Sequence, residues 1–125
     1  MDFFSIQQRL GLYASRLYTA LARGSFAKCG KGTLLLFPVK VANPSRIEIG
    51  RDTLIFQHCF IVAPDEWAGV RYNGRIIIGD NVILHRGTQI SAIQEVRIGD
   101  NSCLASYCLV ADHIHDYIYP DKAII

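Results

Sequence analysis

The chain has 125 residues, half of them hydrophobic and 19% charged, a balance that suits one folded domain and excludes a disordered segment. Thirteen Lys and Arg against eleven Asp and Glu leave a net charge of +2, and the arginines occur singly among apolar residues, so no basic block argues for nucleic acid. The four cysteines, Cys29, Cys59, Cys103 and Cys108, form no CxxC pair, which excludes zinc-ribbon and thioredoxin readings and makes free thiols in a reducing cytoplasm the default.

Residues 3–23 read as a helix. Phe3, Ile6, Leu10, Tyr13, Leu17 and Leu21 recur at spacings of three and four, and Gly24 ends the run. Arg9, Arg16 and Arg23 recur on another face. Two readings stay open for this segment, taken here as 1–26. It either caps the exposed strand edge of whatever follows or lies as a basic amphipathic helix on an anionic membrane surface. No signal-peptide pattern opens the chain. The longest apolar run, Leu34 to Val39, is far too short for the ~20 residues a span needs. The protein is therefore expected in the cytoplasm, with the inner face of the membrane as the site of any lipid contact.

From residue 27 onward a six-residue repeat dominates. Ile-Gly occurs at Ile49-Gly50, Ile78-Gly79 and Ile98-Gly99. Steps of six from each start reach Ile49, Ile55, Ile61, then Ile78, Leu84, Ile90, then Ile98, Leu104, Val110. Thr53, Cys59, Val82, Thr88, Ser102 and Cys108 sit four residues into these hexads, and all are small. Asp80-Asn81 and Asp100-Asn101 follow the glycines, with Arg51-Asp52 in their place in the earlier coil. Ile47, Ile76 and Val96 lie two before each start. A period of six suits a solenoid in which three hexads make one triangular turn. The first residue of each hexad points inward, and Gly, Asn and Asp turn the bends. A β-sandwich expects period two and fits poorly.

The starts at 78 and 98 are 20 apart, and an earlier coil at the same spacing has Cys29, Leu35 and Val41 inward. Extra residues beyond three hexads fall near Asn43-Pro44-Ser45 and Gln94-Glu95. The longer step from 49 to 78 predicts a loop of nine added residues leaving the prism between Val62 and Arg75.

The run IIIGDNVILHRGTQISAIQEVRIGDNSCLASYCLVADHIH resembles the hexapeptide-repeat O-acetyltransferases of the maltose/galactoside type. It is most similar to those that modify capsule, lipopolysaccharide or exopolysaccharide sugars. The likeness spans about residues 29–119. It implies an all-β fold, a left-handed parallel β-helix of hexapeptide repeats over 27–125 with a short N-terminal α-helix. The left hand comes from the resemblance alone and runs against the usual crossover rule. The likeness also implies a homotrimer, acetyl-CoA as donor, direct transfer to a sugar, nucleotide-sugar or polysaccharide hydroxyl, and a histidine general base without a metal. Carried onto this chain, the base falls on His115, with His113 as the second candidate. Asp112 or Asp116 is placed to orient an imidazole, and Tyr117 and Tyr119 read equally as packing or acceptor residues. In the inserted loop Asp65, Glu66 and Trp67 are the acceptor-binding candidates, since aromatic faces and hydrogen-bonding pairs suit a sugar. The equal alternative is a loop that packs on a neighbouring subunit.

The chain departs from the family in ending soon after the histidines, where relatives continue for several coils that build the CoA groove. It therefore reads as C-terminally truncated, and a non-catalytic scaffold or regulatory protein is the alternative function. A β-helix hydratase with intersubunit zinc is disfavoured, because His58, His85, His113 and His115 fall out of register and form no H-x4-H pair.

Overall fold

The computed structural model describes residues 1–114. The chain forms helix α1 (Phe3–Ala22), a 3₁₀ turn (Arg23–Ser25) and then fourteen short strands. Twelve of these form the walls of a prism. One wall stacks β1 (Lys28–Cys29), β4 (Ile47–Ile49), β9 (Arg75–Ile78) and β12 (Glu95–Ile98). The next stacks β2 (Leu34–Leu35), β5 (Leu54–Ile55), β10 (Ile83–Leu84) and β13 (Cys103–Leu104), and the third β3 (Lys40–Ala42), β6 (Phe60–Val62), β11 (Gln89–Ser91) and β14 (Leu109–Ala111). Every pairing in these walls is parallel. The remaining strands, β7 (Glu66–Trp67) and β8 (Val70–Arg71), make an antiparallel hairpin inside the inserted loop.

The register confirms the repeat as a parallel β-helix. Cys29 pairs with Ile49, Ile49 with Ile78 and Ile78 with Ile98, so the four coil starts stack in one column. Ile49, Ile55, Ile61, Ile78, Leu84 and Ile90 are essentially inaccessible to solvent, and Ile47, Ile76 and Val96 add a fourth buried column. Ile98, Leu104 and Val110 of the last coil are partly buried against the same core.

Two corners show why two-residue strands suffice. Gly32, Asp52, Asn81 and Asn101 occupy one bend in successive coils, each with φ between +54° and +84°. Residues that tolerate left-handed backbone therefore turn every coil at this corner. The Asp and Asn side chains also tie coil to coil. Asp80 Oδ1 accepts the N–H of Arg51 at 2.7 Å and Asp100 Oδ1 that of Asp80 at 2.7 Å, while Asn81 Nδ2 donates to Asn101 Oδ1 at 2.8 Å. Inside the corner, Thr53 Oγ1 donates to the Gly79 carbonyl at 2.9 Å. The second corner is turned by His58, Gly87 and Tyr107, all at positive φ, and in the first coil by the cis Phe37–Pro38 bond.

Helix α1 starts at Asp2, whose carboxylate accepts the Ser5 N–H at 2.9 Å as an N-cap. It seals the first coil, and it does so with the face opposite its apolar stripe. Among the described residues no strand lies beneath the first coil, so its downward N–H and C=O groups need other partners. Thr19 Oγ1 accepts the Leu35 N–H at 2.9 Å and Ser15 Oγ the Phe37 N–H at 3.1 Å, while the Tyr18 hydroxyl donates to the Val39 carbonyl at 2.8 Å. Ser15 and Thr19 are the buried residues of the helix. Phe3, Ile6, Leu10, Tyr13, Leu17 and Leu21, which the periodicity marks as one face, are all exposed.

Candidate functional site

The third corner of the prism, between the β3–β6–β11–β14 wall and the β1–β4–β9–β12 wall, is irregular in every coil. It is occupied by Asn43–Arg46 in the first coil, by the 63–74 loop in the second, by 92–94 in the third and by Asp112 and His113 in the fourth. All the extra residues beyond the hexads, and all the described candidate site residues, therefore lie in one vertical strip. At ~4.8 Å per coil the fourth-coil bend sits about 10 Å along the axis from the level at which the loop leaves.

Asp112 organises the upper part of the strip. Its carboxylate accepts three backbone N–H groups of the bend below, from Ile93 at 2.8 Å, Gln94 at 2.7 Å and Glu95 at 2.8 Å. Its Oδ1 also lies 3.0 Å from Nδ1 of His113. Partial burial alone pushes the Asp112 carboxyl up, but the N–H of Ile93, the His113 ring and the N–H groups of Gln94 and Glu95 outweigh it and hold the group below its ordinary value. Asp112 is thus a carboxylate at neutral pH. With the His113 proton on Nδ1, that nitrogen donates to Asp112 and Nε2 keeps a free lone pair. The His113 side chain is about one-third exposed.

The lower part of the strip is the loop. Ala68 and Gly69, with φ of +50° and +79°, turn the hairpin, which sets Glu66 opposite Arg71 and Trp67 opposite Val70. Arg46, from the extra segment of the first coil, fastens the loop base. Its Nη2 lies 2.7 Å from Asp65 Oδ1, and its Nη1 donates to the Tyr72 carbonyl at 2.9 Å. Arg46, Asp65, Glu66, Arg71 and Tyr72 line an open polar groove of about 310 Å³. Two guanidinium groups and two carboxylates there offer hydrogen bonds of both senses to a hydroxyl-rich ligand.

The sequence candidates thus divide. Asp65 and Glu66 line one groove, with Asp65 engaged by Arg46. Trp67 is not among the groove residues and stands 55% exposed on the hairpin. His113 is joined to Asp112 two coils away. His115, Asp116, Tyr117 and Tyr119 lie outside the described residues. Arg71 belongs to the inserted loop that the sequence marks as a functional candidate, whereas Arg46 is not among the sequence candidates. The signal for Arg46 was its place in the extra segment of a coil, next to where the longer insertion would emerge.

The other histidines belong to the walls. His85 stacks on Phe56 with ring centroids 4.9 Å apart, and His58 turns the second corner. Among the described residues no group of three or more His, Cys, Asp and Glu is arranged to hold a metal ion. All four cysteines are free thiols. No helix among the described residues is long and apolar enough to cross a membrane. Comparison of the chain with protein-family models, with curated proteins and with solved structures returns no match.

Proposed function

We propose that the protein transfers an acetyl group from acetyl-CoA to a sugar hydroxyl, with a histidine of the 113–115 segment as general base. The observation that carries this reading is the Asp112–His113 pair, set in the same corner strip of the prism as the loop groove. The sequence resemblance to hexapeptide-repeat O-acetyltransferases points to the same segment, with His115 as the base it implies. It also implies a left-handed winding and a homotrimer whose grooves between prisms hold acetyl-CoA. We place the reaction in the cytoplasm, where the four thiols stay reduced.

The chemistry asks little of the chain beyond placement. A sugar hydroxyl is a poor nucleophile at pH 7, and imidazole, titrating near ~6.5, is largely neutral and able to take its proton. The alkoxide oxygen forms a bond to the thioester carbonyl carbon, and the C–S bond breaks as the tetrahedral intermediate collapses. The proton held on the imidazole then returns to the departing CoA sulfur. Asp112 keeps the His113 Nδ1 protonated and stabilises the imidazolium, leaving Nε2 to work. Arg46, Asp65, Glu66, Arg71 and the exposed face of Trp67 are the groups for acceptor recognition, and holding both substrates in one groove supplies the remaining acceleration.

The test is thiol release from acetyl-CoA with a panel of sugars and nucleotide sugars. His113→Ala, His115→Ala and Trp67→Ala are run beside the parent. Loss of about 10²-fold or more in kcat in one histidine variant, with the other near the parent, names the base. Trp67→Ala is expected to raise the acceptor KM and leave the acetyl-CoA KM unchanged. A folded chain that binds acetyl-CoA but transfers to no acceptor, or that binds none, replaces this reading with a non-catalytic scaffold.

A further inference from the structure

Among the described residues, nothing packs on the apolar stripe of helix α1. Phe3, Ile6, Leu10, Tyr13, Leu17 and Leu21 are all exposed, Leu10 by 64% and Leu21 by 77%. At about 100° per residue these side chains fall on one side of the helix, opposite Ser15 and Thr19, which face the prism. Residues 6–14 are exposed all round, so the first half of the helix projects past the prism wall. A helical stretch of that length is marginal in water without an apolar surface to pack on. Some apolar surface therefore belongs on this stripe.

Charge decides which surface. Arg9, Arg16 and Arg23 recur every seven residues along one flank of the stripe, and no Asp or Glu occurs between Phe3 and Arg23. The spacing of Phe3, Ile6, Leu10, Tyr13 and Leu17 matches the a and d positions of a heptad, which puts the arginines at g. In a coil of two copies, g faces e in the parallel pairing and g in the antiparallel one. The e positions are Gln7, Ala14 and Leu21, so no copy offers an anion to the arginines, and the antiparallel pairing sets them against each other. Arg16 lies over the Tyr13 ring at 6.0 Å, and its flank continues into a groove of about 400 Å³ lined by Arg16, Thr19, Arg23 and Thr33. A row of cations beside an apolar stripe, with no acid, complements an anionic lipid surface. Apolar side chains enter the acyl boundary, and the arginines stay at the headgroups.

We propose that α1 docks the protein on an anionic membrane surface, with the prism held on its cytosolic side. The proposal stands apart from catalysis. Its test is sedimentation of the full chain with vesicles of phosphatidylcholine alone, or of phosphatidylcholine with about 30% phosphatidylglycerol, at low and at physiological salt. The mixed vesicles are expected to bind the chain about tenfold more tightly, and the difference is expected to shrink as salt rises. Leu10→Glu, on the projecting half where no packing is lost, is expected to weaken binding about tenfold with an unchanged thermal midpoint. Arg9→Gln combined with Arg16→Gln is expected to remove the preference for phosphatidylglycerol while the helix remains. Two results overturn the proposal. One is equal or absent binding to the two vesicle types. The other is light scattering in which Leu10→Glu splits an oligomer of the lipid-free protein, which assigns the stripe to a second copy.

Discussion

Thr19 Oγ1 accepts the backbone N–H of Leu35 at 2.9 Å, and both residues are buried. This bond shows how α1 is attached: a hydroxyl takes the place of the missing strand below the first coil. Thr19→Val keeps the shape and leaves the Leu35 N–H without a partner. It is expected to lower stability by about 1–3 kcal/mol. Leu17→Ala, on the exposed stripe of the same helix, is expected to change stability by only a few tenths of a kcal/mol. Urea unfolding midpoints with a shared slope check both.

The same substitution should have opposite signs at two glycines. A Cβ on Gly50 would meet the carbonyl of Gly79 and the Asp80 carboxylate of the coil above, neither of which can yield without breaking the corner ladder. A Cβ on Gly11, in the solvated part of α1, meets nothing within 4 Å. Gly50→Ala is expected to cost several kcal/mol or to prevent folding. Gly11→Ala is expected to gain up to about 1 kcal/mol from helix propensity. Thermal melts of the two variants beside the parent read the difference.

Acid should weaken the third corner through Asp112. Its carboxyl lies below the ordinary ~3.9 when folded, held there against burial by the N–H groups of Ile93, Gln94 and Glu95 and by the His113 ring. A lowered folded pKa contributes stability that is complete above the unfolded value and is lost as pH falls through the folded one. The parent is thus expected to exceed Asp112→Asn in stability at pH 7, with the gap closing below about pH 4. Urea midpoints from pH 7 down to about pH 2.5 test this, and a gap constant over that range contradicts the assignment.

Thiol chemistry should discriminate the cysteines. Cys59 is fully buried, and its Sγ donates to the His85 carbonyl at 3.2 Å. Burial pushes its thiol up, with partial opposition from the backbone of Thr88, Gly87 and Phe56. Burial also raises Cys29, opposed by the nearby Arg23 charge. Cys103 is exposed. A maleimide is expected to label Cys103 first and to leave Cys59 unmodified until the chain is unfolded. Peptide mass mapping at short and long exposure measures the order.

The walls of the prism were legible in the sequence because each coil repeats one environment. An inward Ile, Leu or Val every sixth residue states both the strand and its partner above, so periodicity alone located the coils at 29, 49, 78 and 98 and the insertion between Val62 and Arg75. The bends at Asp52, Asn81 and Asn101 were legible for the same reason, since few residues accept their backbone. The hairpin within the insertion was not, because Glu66–Trp67 and Val70–Arg71 are too short to carry a period.

Tertiary structure decided what occurs once. Helical periodicity identified the face of α1 that carries Phe3, Leu10 and Leu17, but apolar content does not say which face meets the prism. That choice went to Ser15, Tyr18 and Thr19, because the uncovered edge of the first coil presents N–H and C=O groups and a hydrocarbon face cannot satisfy them. Likewise Asp112 could be named as an orienting carboxylate from its position beside the histidines. Only the stacking of one coil on the next brings the N–H groups of residues 93–95 under its carboxylate, whose Oδ1 lies 3.0 Å from the His113 Nδ1. A repeat in sequence determines what each coil does alike, whereas the partners of single residues are set by which coil lies beneath them.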